Sequence, residues 1–458
     1  MEKKNKGVSI KNQTRRGARI LLILLALTLS GQWGAFCVTA SAQSSGTNSP
    51  YSRYGWGVLN DEAMGFNKGM AGVALGMRDP NIINRQNPAS YSEMDSLRFL
   101  FDIGVSLQNC WMREGDIKKN VHNSTLDYAV AAFRFGKGLG FSLGLRPFST
   151  IGYNFSSTTE MPDVDGLGVK TTTSTYSGDG GLHEIYGGIG WQPLKPVSIG
   201  TNIKYVWGDY NHYSAVTYSD ASVQTLTRKY TGRLNAVAFD FGLQVQHNFS
   251  KKDRVVLGLT YSPGQRISQK ATFINQQTNN LTGSSADTTN IGNAYELPTN
   301  LGVGLSWCHD YQWTVGLDYT LQAWEKCRFP ALRERGGNTV FSRSWKVFQN
   351  RHRLAAGVEF VPNPRGMRVR DHICYRAGLA YSTPYAKVNG ENGPKSFMVS
   401  AGAAIPIVNR YTSHSVLNIS AQWEHMQASS TGKLKEDYLR LCLGLTFSAR
   451  WFEKWKVK

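Results

Sequence analysis

The pattern GFSLG, Gly140 to Gly144, is where nucleophilic chemistry would first be sought. A Gly-x-Ser-x-Gly serine is activated only on a sharp strand-to-helix turn that lifts its hydroxyl clear of the backbone. Here Ser142 sits inside an alternating run in which Phe141, Leu143 and Leu145 share one face, beside the short turn GKGLG. It reads as a strand residue. His183 and Glu184 lack a second histidine at metal-ligand spacing, and the nine histidines are scattered. Neither Cys-x-x-Cys nor His-Glu-x-x-His occurs. The chain therefore reads as no enzyme, with no catalytic residue, no metal and no cofactor.

The elements behind these residues are strands. In YLRLCLGLTFSARWFEKWKVK, Tyr438 to Lys458, Leu439, Leu441, Leu443, Leu445 and Phe447 fall on one face. Arg440, Cys442, Gly444, Thr446 and Ser448 fall on the other. Successive strand side chains point to opposite faces, so period two means strand, and the leucine face must be covered.

The start of the chain says by what. Seven bases between Lys3 and Arg19 precede the apolar run ILLILLALTLSG, and Ala40-Ser41-Ala42 offers a small-residue cleavage site. That is an export signal, residues 1–42, too short to span a membrane as a helix. Its loss lowers the net charge from +19 to +13. Five cysteines remain, Cys110, Cys308, Cys327, Cys374 and Cys442, an odd number without the paired spacing of a disulfide framework.

From Leu97 onward fourteen strand-like segments follow, beginning near Leu97, Thr125, Leu139, Gly181, Val197, Leu234, Arg254, Leu297, Gln312, His352, Ile373, Ser396, Ser415 and Tyr438. Short breaks (GKGLG, QPLKP, FSKKDR, CHDY, PNPRGMRVRD, VNRYTSH) alternate with long polar ones such as Phe155 to Asp179 and Glu325 to Asn350. An even strand count with short turns at one end and long loops at the other is the pattern of an outer-membrane barrel, which satisfies every backbone polar group internally. Trp191, Phe249, Trp307, Tyr311, Trp313, Trp451 and Phe452 cluster at the short turns, where an interfacial girdle belongs. The expected fold is an all-β transmembrane antiparallel barrel over residues 97–452, with both ends and a tail at 453–458 in the periplasm.

Residues 43–96 differ. They are rich in Gly, Asn, Asp and Ser, yet carry Met64, Phe66, Met70, Val73, Leu75, Ile82 and Ile83, which need burial. An irregular segment ahead of a barrel this wide fits its lumen as a plug. The stretch GFNKGMAGVALGMRDPNIINRQNPASYSEMDS resembles the N-terminal hatch of FadL-type outer-membrane transporters of hydrophobic molecules, where a Gly/Ala-rich run leads to Asn-Pro-Ala. Here that triplet is Asn87, Pro88 and Ala89. ELPTNLGVGLSW, QWTVGLDYTLQAW, RLAAGVEFVPN and CYRAGLAYSTPY are similar to the family's later strands. The resemblance implies passive uptake of a small hydrophobic compound through a hatch-gated lumen, with sideways exit through the wall and Asn87 to Ala89 near the ligand path. Pro88 fixes its own φ and biases Asn87 away from helix, which pins a turn.

The short turns and tail carry +9 of the mature +13. Snorkelling toward anionic headgroups explains such a rim. A docking surface for an acidic periplasmic partner also explains it. The second reading is therefore a non-transporting barrel subunit of an outer-membrane secretion or assembly complex. The expected partners are outer-membrane lipid, a hydrophobic small molecule and other outer-membrane or periplasmic proteins, with no nucleic acid.

Overall fold

Alternation becomes strand wherever it occurs, and the strands close. The structure is a computed structural model that describes residues 47–96, 98–161, 170–220, 223–279, 283–335, 338–407, 415–428 and 434–450. The expected signal peptide, Trp451, Phe452, the tail and the turn VNRYTSH lie outside these residues. The barrel strands are β1 (Arg98–Glu114), β2 (Ile117–Gly136), β3 (Leu139–Met161), β4 (Lys170–Leu194), β5 (Val197–Tyr218), β6 (Thr225–Asn248) and β7 (Asp253–Ser262). They continue with β8 (Asn300–His309), β9 (Trp313–Gln322), β10 (Arg351–Phe360), β11 (Cys374–Ser382), β12 (Pro394–Pro406), β13 (Val416–Ala428) and β14 (Lys435–Arg450). Each pairs antiparallel with its neighbours, and β1 pairs with β14 from Arg98↔Arg450 to Arg113↔Lys435, which closes the sheet. All fourteen expected segments are strands of this barrel.

The third to sixth strands run 22–25 residues. A tilted transmembrane strand needs only about 9–11. The excess projects from the long-loop end. Asn109 to Ser124 is thus strand nearly throughout, turned by Gly115 at φ +57° and Asp116. Two further hairpins, Ala271–Asn279 with Gly283–Ile291 and Phe329–Arg335 with Asn338–Ser344, lie in stretches that read as loops. β3 beyond Asn154 and Gly283–Ile291 are mostly exposed on both faces and lack the apolar alternation of a half-buried strand, whereas Phe273, Phe329 and Phe341 of the hairpins are buried.

Inside and outside follow the pattern. Leu439, Leu441, Leu443 and Phe447 are exposed, whereas Cys442, Thr446 and Ser448 are buried in the lumen. A barrel with an apolar outer face and a polar inner one sits in lipid. Trp191, Phe249, Trp307, Tyr311 and Trp313 are exposed beside the short turns, as a girdle requires. No helix among the described residues is long and apolar enough to cross a membrane.

Residues 47–96 fill the lumen. Met64, Phe66, Met70, Val73, Leu75 and Ile83 are buried, with Ile82 packed at the edge of their cluster. Toward the long-loop end Trp56 of the plug meets Tyr295 and Phe329, each at 5.1 Å between ring centroids, and Tyr210 at 6.1 Å. Aromatic contacts of this kind tie the plug to the loops above it.

Candidate functional site: the plugged lumen

Asn87 caps a short 3-10 turn, Pro88–Glu93, with its Oδ1 accepting from the Ala89 N–H at 3.2 Å. Its Nδ2 donates to the Leu75 carbonyl at 2.8 Å and to Leu243 O on β6 at 3.3 Å. One amide thus closes the turn, ties it to the preceding plug loop and fastens both to the wall. Asn87 and Ala89 are fully buried.

The wall is glycine where this turn touches it. A Cβ at Gly200 or Gly242 would strike Pro88 or Asn87, and one at Gly190 would strike the Pro88 carbonyl. The pattern continues around the barrel. Gly258 and Gly304 face Leu75 and Gly76, Gly357 and Gly378 face Met70, and Gly444 faces Gly65. Glycine inside a strand marks the close approach of another backbone, and here the other backbone is the plug.

Wall side chains then satisfy the plug's irregular backbone. Asp318 Oδ2 accepts from the N–H groups of Ala74 and Leu75 at 2.6 and 2.8 Å. Ser306 donates to Gly76 O at 2.6 Å and Gln244 to Met77 O at 3.1 Å. Ser400 donates to Gly69 O and accepts from Ala71 N. A buried loop would otherwise strand these groups at about 1–3 kcal/mol each.

Charge forms the second layer. Arg85 reaches Glu184 at 3.1 Å, Glu62 at 3.5 Å and Asp240 at 3.6 Å. Arg146 also reaches Glu62 and Glu184, each at 3.4 Å, and Lys204 reaches Asp240 at 2.6 Å. Three cations and three carboxylates balance. Burial pushes the Glu62 carboxyl up, but Arg146 and Arg85 outweigh it and hold it at about 2. Arg353 and Lys68 likewise hold Asp61 below the usual carboxylate range against its burial.

Two larger cavities flank the plug. On the short-turn side one of about 620 Å³ lies between Phe66, Met77, Ile82 and the bases of β8 to β13. On the long-loop side one of about 170 Å³ is bounded by Tyr51, Val58, Leu59, Tyr385, Met398 and Met426, with Asp61, Lys68, Arg351 and Arg353 on its floor. Neither includes Asn87, Pro88 or Ala89.

The second cavity abuts a break in the wall. β2 and β3 pair only from Gly136↔Leu139 to Ala129↔Leu145. Beyond that, β2 stays on β1, while β3 bulges between Pro147 and Ser149 and follows β4. The freed edge of β3 takes the plug instead, as Val58↔Thr150 and Leu59↔Ser149, with the Asn60 N–H donating to Phe148 O at 3.1 Å. Thr125 and Asp127 of β2 and Pro147 of β3 border the cavity on either side of this seam.

Ser142 is buried, its hydroxyl bonded to Ala131 O and Tyr186 OH. Glu184 serves the ion-pair cluster rather than a site with His183. The Asn-Pro-Ala triplet was legible in the sequence. Arg85, Asp318, the glycine seat and the seam were not. The high count of 47 glycines was the one signal that pointed to the seat.

No curated protein sequence matches this chain significantly. Solved structures do match in fold. The CymD monoaromatic hydrocarbon channel superposes with a TM-score of 0.56 at 13% identity, covering 85% of this chain and 99% of that one. The toluene transporter TbuX of Ralstonia pickettii gives 0.55 at 12% identity, with 85% and 99% covered. A FadL homologue of Pseudomonas aeruginosa gives 0.54 at 12% identity, with 85% and 98% covered. The fold is thus that of the FadL-type outer-membrane barrels, in a divergent form. The family model BamG matches residues 26–458, nearly the whole sequence, and the chain belongs to the BamG family.

Proposed function

We propose that this barrel passes a small hydrophobic compound across the outer membrane, with residues 47–96 as its hatch and the short-turn end in the periplasm. The observation that carries the reading is the seam where β2 and β3 part, closed only by Val58 and Leu59 of the plug, with a cavity against it. A hydrophobic solute held there could leave sideways between two strands without displacing the glycine-seated part of the plug. Asn87, Pro88 and Ala89 then act as the anchor of the hatch, which keeps that seat fixed while the part around Val58 and Leu59 gives way. The neighbours described as a monoaromatic hydrocarbon channel and a toluene transporter support the same solute class. A non-transporting barrel subunit would be favoured by a polar lumen without a lateral gap. The ion-pair cluster fits the first of these, whereas the parting of β2 from β3 supports the lateral route.

The test is uptake of radiolabelled toluene by proteoliposomes. Cysteines placed at Thr125 and Pro147, in a background freed of the native cysteines, are bridged by a cleavable bismaleimide. Transport requires uptake to fall to the empty-liposome level when bridged and to return on cleavage. Uptake that ignores the bridge would sink the lateral route, and an unbridged barrel no faster than empty liposomes would sink transport altogether.

A further inference from the structure

The opposite end of the barrel carries a surface that uptake does not use. The connection from Phe360 to Cys374 is the longest at the short-turn end among the described residues, and it is folded on itself. The Asn363 N–H donates to Asp371 O at 3.0 Å, and Arg368 N–H donates to Asp371 Oδ2 at 3.2 Å. The His372 ring bonds Gly366 O at 2.7 Å, and Arg365 pairs with Asp310 at 2.5 Å on the neighbouring turn. This bracing holds Met367 in water at 93% exposure, with Val369 at 61%. Ile407, across the mouth, is 52% exposed. All three border the 620 Å³ cavity. Arg254, Arg368 and Arg370 have no carboxylate partner among the described residues, and residues Pro362 to Asp371 carry a net +2.

A braced loop that presents a bare methionine has already lost the freedom that binding would otherwise cost. Arginines without a carboxylate partner beside a hollow of mixed apolar and polar lining, Asp79 and Glu359 included, favour an acidic partner over a basic one. Met367 and Val369 border the lumen mouth rather than the lipid-facing girdle, so headgroup snorkelling does not explain them. We propose that this mouth docks an acidic segment of another protein, which lays aspartate or glutamate on Arg254, Arg368 and Arg370 and inserts an apolar side chain between Met367 and Ile407. The inference goes beyond the transport reading and does not depend on it.

The probe is a fluorescent synthetic peptide of alternating glutamate and leucine, titrated by anisotropy against the full-length barrel in zwitterionic nanodiscs, with empty nanodiscs subtracted. The expected result is saturable binding that weakens with salt. It should weaken about tenfold in Met367→Asp and in Arg368→Glu/Arg370→Glu, as loss of an anchor or of a desolvated charge contact entails. Lys195→Glu, on another short turn, should leave it unchanged. Each variant is first shown to be folded by heat-modifiable migration, and Met367→Ser replaces any aspartate variant that is not. No saturable binding, or binding equal in all variants, overturns the proposal. So does recruitment of the nanodiscs to phosphatidylglycerol vesicles without peptide binding, which would assign the arginines to lipid.

Discussion

Asn87 shows how much of the plug depends on single side chains. Its amide closes the turn onto Ala89 and spans from Leu75 to the wall at Leu243. Truncation to alanine loses an N-cap and leaves buried groups unsatisfied, so Asn87→Ala should lower stability by about 1–2 kcal/mol. Thermal unfolding checks this, and earlier protease cleavage within residues 60–90 would place the loss in the plug. The acids nearby predict a pH response. Glu62 and Asp61 titrate lower in the seated plug than the roughly 4 expected when free. A depressed carboxyl stabilises the seat above its free pKa and stops doing so as pH falls through its bound value. Protease resistance of the plug should therefore hold at neutral pH and decline as pH drops from about 4 toward 2, where Glu62 protonates. Glu62→Gln should remove part of that decline, a modest part because its side chain is 41% exposed.

Among the elements, the strands have two separate jobs, and glycine divides them. On the outer face any apolar residue serves. On the inner face at plug level the wall is bare, because the Pro88 turn lies against Gly190, Gly200 and Gly242. Gly200→Val should unseat the plug without opening the barrel. Planar-bilayer recordings should show larger and noisier conductance than the parent, with heat-modifiable migration unchanged. Parent-like conductance together with parent-like protease resistance would mean the seat tolerates a side chain. The strand pairs also explain an ambiguity of the sequence. Alternation fails at Gly187 and Gly188, where no side chain marks a face. The structure turns Gly188 toward Tyr91 and Asn202 of the plug side, while Gly187 meets nothing.

For the whole molecule, lipid is the solvent that the outer leucines answer to. Leu443 is outward and its neighbour Cys442 inward. Leu443→Arg should cost about 2–4 kcal/mol in refolding into bilayers, as a lipid-facing arginine near mid-membrane does. An equal loss on folding in detergent alone would argue that the face is not lipid-covered. The closed sheet also explains how an irregular plug can be buried at all. Its backbone polar groups find Asp318, Ser306, Gln244 and Ser400 on four different strands.

What the sequence by itself determined is whatever has a short period. Strand-like segments between polar breaks, many of them alternating, marked all fourteen strands, the turn lengths distinguished the two ends, and the buried-type residues of 43–96 called for a lumen. Asn87, Pro88 and Ala89 stood out through the resemblance to FadL-type hatches, and the turn they form is pinned by Pro88 acting on its immediate neighbour. The long strand extensions were not legible, because toward their tips water reaches both faces and erases the period. Arg85, Glu184 and Asp240 looked like unrelated charges scattered along the chain. Only closure of the barrel brings them within about 4 Å, since a contact between residues 155 positions apart has no local signature. The seam was decided the same way. Pro147, two residues beyond the last β2–β3 pair at Ala129 and Leu145, lacks a ladder N–H and is the one local signal of the break. What takes the freed edge of β3 is the plug's Val58 and Leu59, and that pairing exists only in the folded lumen.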